Sequence, residues 1–199
     1  MYKMQDFNLW FSTGIAHILS LSAFDHILFL VALSCVYQLN EYKRIIVLIT
    51  SFTIGHSLTL ALSTLSIIVV PIKSVELLIP ITILLTAIYN LKISKSKPDK
   101  IGLNYWMALL FGLVHGMGFS FVLRAMLGKE ESIILPLFAF NIGIEAAQII
   151  IVMAVLIIYL FSNLLLKINI RKRIIFISAL TIFFSFLMII NRLNEIINK

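Results

Sequence analysis

Residues 20–30 read SLSAFDHILFL, an aspartate and a histidine side by side with an apolar run behind them. How this stretch is read decides the fold. At the surface of a soluble domain Asp25 and His26 would be ordinary; inside a bilayer each is costly and needs a reason. The rest of the chain points to the bilayer. Of its 199 residues, 61% are hydrophobic and 13% charged, and the mean hydropathy is +1.06. A soluble domain is about half apolar and about a quarter charged, so no aqueous core accommodates this much apolar side chain.

A helix crossing the hydrocarbon core needs about 20 apolar residues. Six segments qualify, at about 9–39, 45–70, 75–92, 105–127, 133–163 and 174–191. The expected fold is an all-α polytopic membrane helix bundle of about six transmembrane helices, forming a single transmembrane domain over residues 1–199. The first segment is long and carries Ser20, Ser22, Asp25 and His26 in its interior, so it is expected to be interrupted there. The N-terminus shows neither an apolar core followed by small residues nor a cleavage site, so no removable signal peptide is expected. The single cysteine, Cys35, excludes an internal disulfide and reads as a small buried hydrophobe.

The net charge of +7 does not point to nucleic acid, because the basic residues fall in short stretches between apolar runs. Ten of them, including Lys43, Arg44, Lys92 and Arg171–Arg173, lie in the first, third and fifth connections; six lie on the other side. Basic loops stay cytoplasmic, which puts both termini outside. Among the six, Arg124 ends the fourth segment, where it either snorkels to headgroups or guards an opening.

All four histidines, His17, His26, His56 and His115, lie within apolar segments, as do Asp25 and Glu145, while Glu76 stands at the start of the third. Each such group costs at least about 2.5 kcal/mol at membrane depth. On an unbroken helix His17 would point about 80° from Asp25 and about 180° from His26. The three share a site only if the helix unwinds near Ser20–Ser22. His56 shares a stripe with Thr53, Leu60 and Ser63; His115 is flanked by Gly112, Gly116 and Gly118, the first two at the spacing that lets helices approach. Asn141, Glu145 and Gln148 share one face of the fifth segment, and Pro80 frees the Glu76 carbonyl. Each residue has a structural explanation taken singly: a backbone partner for a histidine, helix packing for the glycines, a solvated cap for Glu76. Taken together, a common polar site near mid-membrane, open to the outside, is the economical account.

Neutral imidazoles with carboxylate and amide oxygens suit a divalent transition metal: nickel, cobalt, zinc or copper(II). The candidate metal residues are His17, Asp25, His26, His56, Glu76, His115, Asn141 and Glu145. A bound cation would compensate Asp25, and its affinity should fall below the ordinary imidazole pKa of about 6.5.

The stretches GIAHILSLSAFDHILFL, FTIGHSLTLAL, VELLIPITILL, FGLVHGMGFS and FNIGIEAAQ resemble, in order, motifs of the HupE/UreJ family of bacterial membrane proteins, over residues 14 to about 148. The resemblance implies six to seven helices, the bacterial cytoplasmic (inner) membrane and nickel permeation. It also matches His17, Asp25 and His26 to the family's first-helix motif, His56 to its second-helix histidine, Glu76 to the acidic start of the third, His115 to its glycine-flanked histidine and Glu145 to its late glutamate. Seven residues, Ile18 to Phe24, separate His17 from the Asp-His pair; the best-known members have a shorter spacer, so the chain looks like a divergent branch.

Three functions from different classes fit these residues. A metal permease needs a site that binds and also releases. An intramembrane zinc hydrolase of the ceramidase type would use three ligands and a bound water. A haem protein would use paired histidines, though the carboxylates suit it less. The permease leads, which makes the protein a transporter more than an enzyme, with no catalytic residues assigned. Its partners are then the metal ion and membrane lipid; a homo-oligomer stays open, and nucleic acid is not among the expected partners.

Overall fold

The computed structural model describes residues 2–20, 23–93, 101–127 and 132–198, and every regular element among them is helical. In order these are α1 (Tyr2–Leu19), α2 (Phe24–Ser34), a short 310 turn (Leu39–Glu41), α3 (Tyr42–Thr64), α4 (Ile72–Ile93), α5 (Ile101–Leu127), α6 (Ile134–Leu166) and α7 (Ile170–Ile197). Lipid offers a backbone no hydrogen-bond partners, so apolar runs this long fold into helices that satisfy themselves. Five helices are long and apolar enough to cross a membrane, and α1 with α2 makes a sixth if counted as one span. That is the polytopic helix bundle expected from composition.

The expected interruption is present: α1 and α2 meet at 72°. Ala23 N–H bonds to the Ser20 carbonyl (2.9 Å) as the chain turns, and Asp25 sits in the first turn of α2. A carboxylate there meets the positive end of the helix dipole and unsatisfied N–H groups, which offsets part of its burial cost. Ser22 lies outside the described residues.

Glycines bring the helices together. A Cβ at Gly112 or Gly116 of α5 would run into the Phe52 or His56 carbonyl of α3, and Gly14 of α1 and Gly143 of α6 abut one another's helices in the same way. The Gly112–Gly116 spacing therefore does serve close helix approach, and it draws the α3 backbone around His56 against α5. At the end of the bundle near the α2–α3 connection, Arg173 donates to the Cys35 and Tyr37 carbonyls (3.1 and 2.7 Å). Its guanidinium lies 4.6 Å over the Tyr159 ring. Cys35 is buried with no disulfide. Arg124, exposed near the end of α5, donates to the Ser63 carbonyl at the end of α3. Large apolar side chains such as Ile158, Leu165, Phe176 and Phe183 stay exposed on the outside of the bundle, as a lipid-facing surface requires.

The helices outrun the apolar segments. The last segment, expected at 174–191, is part of a helix that runs to Ile197, so Arg192 and Glu195 are carried on α7 rather than in a tail.

Candidate metal centre

Four helices deliver the four histidines to one place. His17 comes from the last turn of α1, His26 from the first turn of α2, His56 from mid-α3 and His115 from mid-α5. The bend lets His17 and His26 face each other, with ring centroids 4.9 Å apart; His17 and His56 are 6.3 Å apart, and His26 and His115 5.1 Å apart. Donor atoms of His17, His26 and His56 all lie within 4.8 Å of one another. Bonds of about 2.1 Å to a first-row metal hold donors roughly 3–3.5 Å apart, so ring movements of about an ångström would complete such a set. His26, His56 and His115 are 5%, 0% and 2% exposed, depths at which an imidazole is rarely left without partners.

The hydrogen bonds leave the nitrogens a metal would use free. His26 Nδ1 faces Asp25 Oδ1 at 2.9 Å, and the same oxygen accepts the His26 backbone N–H at 2.8 Å. Asp25 thus fixes the ring and points Nε2 inward, the role carboxylates commonly play behind metal-bound histidines. His115 Nδ1 donates to the Phe111 carbonyl at 2.9 Å, the i−4 carbonyl of its own helix. The Nε2 atoms of His17, His26, His56 and His115 are all buried without hydrogen-bond partners, and His56 Nδ1 shares that condition. Buried, unsatisfied polar atoms cost roughly 1–3 kcal/mol each, so a cluster of them calls for a ligand.

A cleft of about 450 Å3 reaches the cluster, lined among others by His17, Asp25, His26, His115, Glu76 and Arg192. Glu76 is at its part-exposed mouth, where Arg192 Nη1 lies 3.5 Å from Glu76 Oε2 and 2.8 Å from Glu195 Oε2. The opposite side of the cluster is aromatic. Phe29, Phe52 and Phe111, all buried, sit one helical turn from His26, His56 and His115. Phe52 packs 6.0 Å from His56 and 5.3 Å from His115, and Phe29 lies 5.1 Å from Phe52. Phe119 lies against His17 at 4.1 Å and stacks on Phe140 at 5.0 Å, walling the cluster toward α6.

Of the two expected residues on α6, one borders the cluster and one does not. Asn141 lies beside His56; its Nδ2 donates to the Leu137 carbonyl at 2.7 Å, and its buried Oδ1 has no hydrogen-bond partner. Glu145 is set apart. It accepts a 2.6 Å hydrogen bond from Thr50 and lines a separate groove of about 290 Å3 between α3 and α6. Gln148, on the same face, accepts from Thr53 at 3.0 Å, so this polar stripe ties α6 to α3.

Sequence reasoning did not find Arg192 or the phenylalanines. The phenylalanines had a readable sign, each standing three or four residues from a histidine on an apolar helix; Arg192 had none, because it falls beyond the last apolar run.

A family model described as HupE / UreJ protein matches residues 2–192 of the chain. Neither the comparison with curated proteins nor that with solved structures returned a match.

Proposed function

The chain belongs to the HupE/UreJ family, and on that premise we propose that it is a membrane permease for a divalent transition metal, most of all nickel. The observation that carries the reading is the meeting of four imidazoles with free, buried Nε2 atoms at the inner end of an acidic cleft. Imidazole donors suit nickel, cobalt, zinc and copper(II) far better than calcium or magnesium.

In this reading Glu76 and Asp25 draw the hydrated ion into the cleft. The imidazoles then replace its water one by one, His26 first because Asp25 already holds its ring. The site must also release, which the wide 4.8 Å spread of donors favours, since a loose ligand set binds less tightly than a preformed one. Passage onward needs Phe29, Phe52 and Phe111 to part, a movement of α2, α3 and α5 relative to one another.

We assign the cleft end to the outer face, because the connections at the opposite end hold the larger share of the arginines and lysines, ten of the 16, and basic loops stay cytoplasmic. With α1 and α2 counted as one span, both termini are then outside, in the cytoplasmic membrane. The family match supports the permease and lends nothing to the zinc hydrolase.

Nickel uptake into vesicles containing the purified protein tests the proposal. His26→Ala and His115→Ala should each reduce it to the level of empty vesicles while the protein still elutes as a folded, monodisperse species. Uptake at the wild-type rate in both variants would remove the reading.

A further inference from the structure

At the mouth of the cleft one cation faces two carboxylates. Arg192 Nη1 is 3.5 Å from Glu76 Oε2 and 2.8 Å from Glu195 Oε2, and Arg192 and Glu76 line the cleft together with Asp25. Lys73 Nζ donates to the Glu195 carbonyl at 3.2 Å, which fixes the end of α7 against the start of α4. The guanidinium is positively charged at every accessible pH. It therefore stands where a divalent cation bound for the imidazoles has to pass, and the two repel.

We propose that Arg192 is a tethered cation that competes with the incoming metal: it neutralises Glu76 while the cleft is empty and retires onto Glu195 when the metal arrives. Three features support the exchange. Both carboxylates are within 3.5 Å of the same guanidinium nitrogen, Nη1, so the move is a small side-chain adjustment. Glu195 is already the nearer partner. Both ion pairs are part-exposed and individually weak, so neither traps the arginine. The device also selects charge, since a monovalent ion displaces a guanidinium from a carboxylate less effectively than a divalent one. It is a positioning and selectivity residue acting through Glu76.

The inference rests on the permease reading, and the two fail differently. Initial rates of nickel uptake into vesicles are measured against nickel concentration for wild type, Arg192→Gln, Glu195→Gln and the double variant. Removing the competitor should lower the half-saturating concentration about threefold in Arg192→Gln. Leaving the arginine with Glu76 alone should raise it about threefold in Glu195→Gln. The double variant should behave as Arg192→Gln does, and all the changes should fall on the half-saturating concentration rather than the maximal rate. If Arg192→Gln does not fold, the rise in Glu195→Gln decides alone. Shifts in the same direction for both single variants, or none, would overturn the exchange while wild-type uptake left the permease standing. No wild-type uptake would overturn both.

Discussion

The imidazole cluster has two unlike sides. Toward Glu76 and Arg192 it opens into a polar cleft; toward Phe29, Phe52 and Phe111 it is closed by buried aromatic rings. The cleft is lined from α1, α2, α4, α5 and α7, whereas the rings come from α2, α3 and α5, each of which places a phenylalanine one turn from a histidine. The open side exposes charge to water, where an ion keeps part of its hydration. The closed side presents aromatic rings to an ion, so a bare cation passing between them would pay most of its dehydration cost unaided. On the proposed permease function, the contrast between a hydrated approach and a dry barrier would make the site open to one side at a time, with α2, α3 and α5 as the elements whose movement would reverse it.

Breaking the closed side should have the largest effect. Phe52→Ala removes a ring that touches Phe29, His56 and His115, and should cost about 3 kcal/mol of packing. It should also turn gated passage into a leak. Thermal unfolding in detergent, together with nickel efflux from preloaded vesicles, checks both parts; an unchanged efflux rate would mean the ring is only packing. Weakening the open side should do less. Glu76→Gln removes a part-exposed charge from the mouth and should raise the half-saturating nickel concentration about fivefold, as loss of one screened carboxylate implies. The effect should shrink as salt is raised. The smallest effect is expected at a residue on neither side. Glu145→Gln should shift nickel affinity by less than about twofold, because the Thr50 hydrogen bond is one neutral-partner contact away from the cluster. Titration calorimetry of the purified variant measures it, and a larger loss would bring Glu145 back among the ligands.

How much of this was legible in the sequence depends on what encodes each feature. The spans follow from apolar length, and the break between α1 and α2 from the polar residues clustered at Ser20, Ser22, Asp25 and His26. The convergence of the histidines could be argued because each was separately expensive. Roles within the site were less readable. Asp25 and Glu145 look alike as buried acids, yet one braces His26 and the other sits with Thr50 in another groove. That difference comes from the angle between α1 and α2 and from how α6 crosses α3, which periodicity does not carry. Arg192 was hidden for a simpler reason. Hydropathy ends a helix where charge begins, whereas α7 continues through its charged turn and returns Arg192 to the mouth of the cleft.

The central claim is that imidazoles from four helices take hold of one metal ion, and X-ray absorption spectroscopy at the nickel edge of the loaded protein tests it most directly. The expected spectrum has at least three imidazole nitrogens at about 2.1 Å, with the outer-shell scattering of the rings, and loses one ring in His56→Ala. A spectrum of oxygen donors alone, unchanged by that substitution, would contradict the account.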